Sequence, residues 1–457
     1  MVSMIRDGVI SSSELTEEHL RQIGEQNPSL NAFVYVRAEE AREEARQADG
    51  RLARGEPLGL LDGVPLTVKD SFDVVGLPTR AGSRFRAPAP ASRDAAAVAR
   101  LRAEGAIILG KTNTPEMLAS YETDNFLTGR TNNPWDAERT PGGSSGGEAA
   151  AIAACCSPGG IGTDGGGSIR VPAHFCGIAG LKPTPGRIPT TGHFPALSYP
   201  GGLWSVAGPM ARNATDLRLL FSVLASYDSQ DPFSVPIPPR VPEENGSRIG
   251  VWEQFYSVPV DPEVRSAVRK AASMLAAARR EVVEFVPAGL ERAPNVWACL
   301  FGEWPAPLTR KMTEGRESEA HWTLLEFLPS SSLTGGEVIL ALAARDRIRA
   351  ALLRQMQETP VLLTPVAGIP AFRHRERRWR FGDREIGLFQ VMMPAVIANI
   401  LGLPAVTVPI ATSADGLPIG VQLVGRPFED ELLLDLAIRL EEIRGPFPSP
   451  PVAGSSG

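Results

Sequence analysis

The stretch GTDGGGSIRVPAHFCGIAGLKPT, residues Gly162–Thr184, is the most informative part of the sequence. Three consecutive glycines, Gly165, Gly166 and Gly167, stand directly before Ser168. Glycines in a row let backbone N–H groups converge on one point, as an oxyanion hole requires. Taken alone, the same pattern also suits an anion-binding nest or a tight turn.

A second glycine-rich stretch is Pro141-Gly-Gly-Ser-Ser-Gly-Gly-Glu148. Its two serines, Ser144 and Ser145, are set among four glycines at the start of a predicted helix, Glu148–Ala154. Such a segment can place hydroxyls where the backbone bends sharply, or it can be a flexible turn that caps the helix.

The third segment, Gly63–Asp70, contains a lysine at the end of a predicted apolar strand, Val64–Val68. Burial there would lower the pKa of Lys69 and make a neutral amine available as a base. A lysine whose charge reaches solvent from a strand end is the simpler alternative. Together the three segments supply a nucleophile, a relay and a base without any histidine, which favours hydroxyl catalysis over three unrelated turns.

On these residues the chain resembles the amidase signature family. The matching segments are Gly63–Asp70, Gly110–Glu116, Gly129–Trp135, Pro141–Gly147, Gly162–Thr184, Gly208–Arg212 and Gly416–Val424. They extend over nearly the whole chain and are densest from 58 to 212. Stand-alone bacterial amidases and fatty acid amide hydrolase-like enzymes are the relatives that the resemblance suggests. It implies a hydrolase that acts on linear amide C–N bonds, without a cofactor or a metal.

The resemblance also implies a role for each matching residue. Ser168 corresponds to the nucleophile, Ser144 to the bridging serine whose peptide bond is cis in the family, and Lys69 to the base. The N–H groups of residues 165–168 would hold the oxyanion. Four further residues are expected to support this loop rather than react: Ser145, Thr163, Asp164 and Arg170.

Substrate choice is expected to depend on less well matched parts of the chain. Leu118, Ser120 and Tyr121 correspond to a segment that lines the acyl pocket in some relatives. Candidate apolar wall residues are Trp297, Phe301, Trp304, Trp322, Phe327, Phe381 and Phe389. We expect an apolar acyl or aryl amide, although aromatic residues are more commonly part of a core.

Two other interpretations of the family remain open. One is the A subunit of a tRNA-dependent amidotransferase, which would be a glutaminase with partner chains. Its usual tyrosine-rich, Arg-containing stretch is not visible between Glu314 and Thr359, so we favour the stand-alone amidase. The other is an inactive member that binds an amide without cleaving it, although all three triad positions are intact.

Short apolar runs that alternate with helical stretches predict an α/β fold. The resemblance implies the amidase signature fold, a large mixed twisted sheet with helices on both sides in a single domain, 1–457. We expect an N-terminal helical segment (about 1–57), a signature core (58–212), a variable helical insert (262–355) and a disordered tail (446–457). A loop or linker is expected at 227–246.

Particular elements follow from the pattern. A helix that begins at Ser11 should end at Asn27-Pro28, and a second should run from Arg37 to Arg54, so that residues 11–54 are helical. The uncharged segment Val391–Ala411 is long enough to span a membrane, but its three prolines favour a buried strand and turn. Predicted strands and helices are Ala106–Leu109, Gly160–Gly162, Pro360–Pro365, Ala405–Pro409, Ile419–Val424, Ala95–Glu104 and Glu429–Ile443.

Three motifs are misleading. Gly105–Thr112 matches the phosphate-binding pattern G-x₄-G-K-T, but its central residues are themselves a strand and Asn-Thr-Pro follows. Gly142–Gly146 matches a nucleophile elbow, but a polar loop precedes Ser144 where a strand is needed. The basic cluster in Arg373–Arg384 indicates a solvated loop rather than a nucleic-acid contact.

Composition excludes several classes. A net charge of −6 and a pI near 5.6 do not favour a nucleic-acid or membrane partner. The family resemblance implies a small-molecule amide as the partner. The four cysteines form no C-x-x-C pair and predict neither a disulfide framework nor a zinc site. A secretory signal is not evident, so the chain is expected to be cytoplasmic, and a homodimer stays open.

Overall fold

The computed structural model describes residues 1–197, 200–238, 240, 248–256, 258–303, 305–328 and 333–451. Its strands are β1 (Phe33–Val36), β2 (Pro65–Lys69), β3 (Ile107–Thr112), β4 (Gly159–Asp164), β5 (Ala179–Lys182), β6 (Val206–Ala211), β7 (Ile249–Val251), β8 (Val282–Glu284), β9 (Val361–Pro365), β10 (Arg378–Phe381), β11 (Arg384–Gly387), β12 (Ala405–Thr412) and β13 (Pro418–Gly425). Its α-helices are α1 (Val2–Arg6), α2 (Ser12–Leu30), α3 (Ala38–Ala53), α4 (Ala96–Ala103), α5 (Gly146–Ala153), α6 (Arg170–Cys176), α7 (Ala214–Leu224), α8 (Pro262–Ala277), α9 (Ala293–Trp297), α10 (Ala306–Thr313), α11 (Trp322–Phe327), α12 (Gly335–Gln355), α13 (Leu388–Val391), α14 (Met393–Ile400) and α15 (Asp430–Arg444). A π-helical stretch, Ala298–Glu303, follows α9.

Eleven of these strands form one mixed sheet in the order β1-β3-β2-β4-β6-β5-β12-β13-β9-β7-β8. The β2/β3 and β2/β4 pairs are parallel, as are β7/β8 and β7/β9, and the other pairs are antiparallel. The N-terminal and C-terminal halves of the chain meet where β5 pairs with β12. This confirms the expectation of an α/β fold built on one large mixed sheet.

Helices cover both faces of the sheet because neighbouring strand residues point to opposite sides. Ala211 of β6 packs in the core cluster that includes α4, α7, α8 and α15, whereas Met210 packs with α5 and α6. Likewise Leu363 of β9 faces the first cluster and Leu362 faces α9, α12 and α14. The segments that contain Ser144 and Ser168 precede α5 and α6 and therefore lie on this side of the sheet.

The N-terminal prediction needs two corrections. Helix α2 continues through Pro28 to Leu30, because a proline in the last turn removes only one backbone hydrogen bond. Asn31 then ends the helix in a left-handed conformation, while Asn27 Oδ1 accepts hydrogen bonds from the N–H groups of Ala32 and Phe33. The short strand β1 follows, so residues 11–54 are not continuously helical.

The uncharged segment Val391–Ala411 also differs from its prediction. Its first half is helix α14, and only its second half is a strand, β12. Pro394 is tolerated because it stands in the first turn of α14, where its missing N–H has no intrahelical partner. Within the described ranges, no helix is long and apolar enough to cross a membrane.

Two further strands and a hairpin lie where loops or helices were expected. The three-residue strands β7 and β8 add to the sheet edge beside β9, and β8 lies inside the predicted helical insert. The basic cluster forms the hairpin β10–β11 instead of an open loop. Residues 227–238 and 240 contain no helix or strand, as predicted for a linker, while 239 and 241–247 lie outside the described residues, as do 452–457 of the tail.

Candidate active site

Lys69, the proposed base, lies where two neighbouring parallel strands of the sheet end. Lys69 is the last residue of β2, and Thr163 and Asp164 end β4, its parallel neighbour. The carboxyl ends of parallel strands meet at the same sheet edge, which brings the segments containing Lys69 and Ser168 together although they are about a hundred residues apart.

The Lys69 amine contacts three hydroxyl groups. Its Nζ lies 2.7 Å from Ser144 Oγ, 2.9 Å from Ser145 Oγ and 2.8 Å from Thr163 Oγ1. The side chain is completely buried. A neutral amine has two N–H donors and one lone pair, so it can donate to Ser145 and Thr163 and still accept the proton of Ser144.

Burial holds the pKa of Lys69 well below its usual value. The carboxyl groups of Asp164 and Glu148 oppose this effect without reversing it. Loss of solvent disfavours the ammonium form, and the three contacts are hydroxyls rather than anions that would stabilise it. The site thus favours the neutral form of the lysine, as a base requires.

The serine pair stands at the start of α5. The Gly143–Ser144 peptide bond is cis, and Ser145 is the residue from which α5 begins. The Ser145 N–H donates to the backbone carbonyl of Ser168 at 3.1 Å, which ties the two serine segments together. Ser144 is buried, whereas Ser168 is partly exposed and both line the same cavity.

Asp164 and Arg170 organise the turn around Ser168. The Asp164 carboxylate accepts hydrogen bonds from the N–H groups of Gly167, Ile169 and Arg170 and from the Arg170 guanidinium. Burial alone would raise the pKa of Asp164, but the charge and hydrogen bonds of Arg170 outweigh it and hold that pKa below its usual range. The guanidinium also donates to Ala395 O, Gln422 Oε1 and Asn399 Oδ1.

The three glycines before Ser168 are not equivalent. A Cβ on Gly165 would lie 2.6 Å from the Phe301 ring, and one on Gly166 would lie 3.2 Å from the Tyr121 hydroxyl. Gly167 has a φ of 108°, which favours glycine, but its N–H already donates to Asp164 at 2.7 Å. The Gly167 N–H is therefore engaged in the turn rather than free for the expected oxyanion hole, and the candidate donors are the N–H groups of Gly165, Gly166 and Ser168.

Of the residues expected to line the acyl pocket, one lines the cavity and two have other contacts. Leu118 lines the cavity beside Ser168. Tyr121 instead donates its hydroxyl to Gly166 O at 2.7 Å, and Ser120 Oγ accepts from the Glu122 N–H. Neither Ser120 nor Tyr121 is among the lining residues that the structure describes, so they support the loop rather than form the wall.

A cavity of about 220 Å³ opens at Ser168. Its wall is largely apolar, and besides the serine and glycine segments it includes residues from Met117–Ala119, Pro195–Leu197, Leu300–Gly302 and α10, together with Leu324, Phe327 and Leu328. Among the described lining residues, Asp164 has the only charged side chain, and Arg170 neutralises it.

The aromatic predictions are confirmed in part. Phe301 and Phe327 line the cavity, and Trp297 stacks on Phe301 with ring centroids 5.2 Å apart. Phe389 packs behind Phe327. Trp322 instead lies under Arg377, Phe381 packs in a separate core with Trp379, and Trp304 lies outside the described residues.

Several lining residues were not predicted from the sequence. His193 and Trp204 belong to loops between β5 and β6, and Leu308, Thr309 and Met312 belong to α10. His193 Nδ1 hydrogen-bonds Pro195 O, and burial lowers the pKa of His193 to about 3, so it is neutral. No spacing in the sequence relates these residues to Ser168; the tertiary fold alone brings them together.

The rejected motifs have structural roles. β3 extends through the lysine of the G-K-T pattern, and Lys111 forms a buried ion pair with Asp70 at 2.6 Å. In the basic cluster, Arg377 and His374 bind the buried carboxylate of Glu122. This cluster therefore anchors the hairpin to the segment that supports the oxyanion loop, which differs from the predicted solvated loop.

Comparisons with known proteins agree with this geometry. The family model Amidase matches residues 14–434, and the chain belongs to this family of hydrolases that act on amide C–N bonds. The A subunit of the glutamyl-tRNA(Gln) amidotransferase from Anaeromyxobacter sp. (strain K) is 36% identical, with 97% of this chain and 95% of that protein covered.

Two solved structures share the fold throughout. A chain from a vestigial protein complex, described as revealing the origins of an s-triazine catabolic enzyme, is 32% identical with a TM-score of 0.88 and covers 98% of both chains. A 6-aminohexanoate cyclic dimer hydrolase complexed with substrate is 30% identical with a TM-score of 0.86, covering 99% of this chain and 98% of that one.

Proposed function

We propose that this protein is a stand-alone amidase that hydrolyses a carboxylic acid amide through an acyl-enzyme on Ser168. Neutral Lys69 takes the proton of Ser144, and Ser144 takes the proton of Ser168 as its oxygen attacks the amide carbon. The leaving amine is protonated by the reverse path, from Lys69 through Ser144. Water then attacks the ester carbonyl and passes a proton through Ser144 to Lys69, and this proton returns through Ser144 to the Ser168 oxygen as the bond to the acid breaks.

The backbone N–H groups of Gly165, Gly166 and Ser168 stabilise the oxyanion in this proposal. Asp164 and Tyr121 hold the turn from two sides, through the Gly167 N–H and the Gly166 carbonyl. Donors that are already in place need no rearrangement when charge develops, and the loss of one such donor typically lowers the rate about 10²–10³-fold.

The observation that carries the proposal is the contact of one buried lysine with Ser144, Ser145 and Thr163 at 2.7–2.9 Å. Lys111, by comparison, is a buried lysine that forms an ion pair with Asp70. Lys69 instead has three hydroxyl partners, two of which, Ser144 and Thr163, line the cavity, and this arrangement favours proton transfer.

The first test is covalent labelling with a fluorophosphonate, followed by peptide mapping. We expect the label on Ser168 and no labelling of Ser168→Ala. Ser205→Ala is the matched control, since Ser205 lines the same cavity next to Gly165 and should label normally when substituted. A label on Ser144 in the wild type would contradict the assignment, and no label on the wild type would favour an inactive binder.

We further propose that the acyl group is apolar, aliphatic or aryl. The described wall offers aromatic rings and aliphatic side chains, and no positive side chain in it could pair with the α-carboxylate of glutamine. A buried carboxylate or ammonium without a partner is strongly unfavourable. The wall thus supports an amidase over the glutaminase activity of an amidotransferase A subunit, despite the 36% identity with one.

Ammonia release from hexanamide, benzamide and L-glutamine tests this substrate class. We expect kcat/KM for the two apolar amides to exceed that for glutamine by at least about 100-fold, because the two charges of glutamine would be desolvated without compensation. The Ser168→Ala variant supplies the background. Faster turnover of glutamine, alone or only with added amidotransferase partner subunits, would contradict the proposal.

A further inference from the structure

The acyl-transfer steps do not use Glu148, a completely buried carboxyl group on α5. Its Oε1 accepts a hydrogen bond from Thr67 Oγ1, and its Oε2 accepts one from Thr112 Oγ1 at 2.6 Å. Gly160 on β4 leaves the space for it, since a Cβ at that position would overlap Oε1. Burial of a carboxyl group is energetically costly, which indicates that Glu148 does more than fill space in the core.

The two threonines are placed on either side of the base. Thr67 precedes Lys69 by two residues on β2, and Thr112 is the register partner of Lys69 on β3. Glu148 itself follows Ser145 by three residues in the first turn of α5. One carboxyl group thus joins the strand of the base, its neighbouring strand and the helix that begins at the serine pair.

Glu148 also interacts with Lys69 through charge. Burial raises the pKa of Glu148 to about 7, although the hydrogen bonds from Thr112 and Thr67 and the charge of Lys69 oppose this rise. In the other direction, the Glu148 carboxylate favours the ammonium form of Lys69. The protonation of the two groups is therefore coupled.

The other titratable groups on the elements packed against α5 have partners of their own. Lys111 of β3 pairs with Asp70, Asp164 of β4 pairs with Arg170 of α6, His174 of α6 accepts from the Gly420 N–H, Cys176 of α6 donates to Pro141 O, and His19 of α2 contacts Cys155 O. Strand β6 has no titratable side chain. Lys69 is thus the group whose charge Glu148 can influence.

We propose that Glu148 is a positioning residue for the base: through Thr67 and Thr112 it fixes the end of β2, and through its charge it sets how readily Lys69 gives up its proton. This inference rests on the proposed function, in which Lys69 is the base. It assigns Glu148 an effect on the pH dependence of acylation that a purely structural residue would not have.

The test is the rate of Ser168 labelling by a fluorophosphonate, measured from pH 5 to 10 for the wild type and Glu148→Gln. The wild-type rate should rise with pH as Lys69 loses its proton. Removing the carboxylate removes a charge that stabilises the ammonium form, so the acidic limb should move to lower pH by roughly one unit. The plateau should fall by no more than about tenfold, because a lysine whose pKa is about one unit lower is a weaker base by at most that factor.

Two further variants make the outcome decisive. Thr112→Val removes one hydrogen bond to the carboxylate with little change of shape, and it should move the limb in the same direction by a smaller amount. Glu116→Gln is the matched control: Glu116 is a buried glutamate that accepts from Ser83 and the His321 N–H, away from Lys69. Its limb should coincide with that of the wild type.

A uniform loss of rate in Glu148→Gln with an unmoved limb would overturn the inference and leave Glu148 a structural residue. If Glu148→Gln does not fold, an unmoved limb in Thr112→Val has the same force. Failure of the proposed function is distinguishable, because the wild type itself would then not be labelled on Ser168.

Discussion

Replacing Lys69 with methionine is expected to lower the rate of fluorophosphonate labelling of Ser168 by about 10³-fold or more. The substitution keeps an unbranched side chain in the buried site but removes the amine that contacts Ser144. General-base catalysis of this kind typically contributes 10²–10⁴-fold. The residual rate should lose the rise with pH seen in the wild type, since no lysine remains to lose a proton there.

Lys182→Met is the matched control for this experiment. Lys182 is also a completely buried lysine of the same sheet, but its Nζ donates to Pro183 O and contacts none of the three hydroxyls. It should label at a rate close to that of the wild type if it folds. Wild-type labelling of Ser168 in Lys69→Met would exclude Lys69 as the base.

Replacing Arg170 with lysine is expected to give the largest decrease in the free energy of unfolding. Lysine cannot reproduce the planar set of donors that reaches Asp164, Ala395 O and Gln422, so a buried carboxylate and several acceptors would lose their partners. Disruption of a buried ion pair costs about 3–5 kcal/mol, which should be visible as a reduced free energy of unfolding in urea.

The pH dependence of the free energy of unfolding provides a second test of the Asp164–Arg170 pair. Arg170 holds the pKa of Asp164 below its unfolded value, so the pair stabilises the protein above about pH 4 and this contribution is lost as the pH falls further. In Arg170→Lys the acid sensitivity of unfolding should therefore be weaker than in the wild type. Equal acid sensitivity in both proteins would refute the assignment of this pair.

Arg187→Lys separates loss of stability from loss of the site. Arg187 is equally buried and pairs with Asp430 and Glu431, remote from the serines. Both variants should be destabilised, but at a temperature where both remain folded only Arg170→Lys should label slowly, because only Arg170 fixes the turn that contains Ser168. Slow labelling of both would indicate general destabilisation.

The central strands and the candidate catalytic residues could be located because their sequence signals are local. β2, β3 and β4 are short runs with glycines at or near their ends, and Ser144 and Ser168 occur in glycine-rich segments. Short apolar runs bounded by glycine are typical of buried strands.

Other elements depend on contacts between distant residues. Strands β7 and β8 have three residues each and are defined by pairing with β9 and with each other, which no short window of sequence records. Helix α14 differs from the strand that the sequence predicts because an uncharged, β-branched run fits both structures. It is buried throughout, so no polar face shows the helical period.

The same distinction applies to the site. The family pattern identifies Gly167 as one of three equivalent glycines, but its N–H is bound by Asp164 once the turn has formed. The cavity wall is even more difficult to predict from the sequence, since α10, the π-helical stretch and His193 come close to Ser168 only through the packing of the whole chain. Substrate preference is accordingly the property that the sequence predicts least well.

The order of strands in the sheet has a consequence for how the chain matures on the ribosome. β5 and β12 are neighbours in the sheet, yet more than 200 residues separate Lys182 from its partner Ala405. Until β12 has been synthesised, β5 leaves one edge of the half-sheet that contains Lys69 without a partner strand. Completion of this half of the sheet therefore waits until β12 has emerged, and the nascent polypeptide exposes an open strand edge, a site of association with other chains, during that interval.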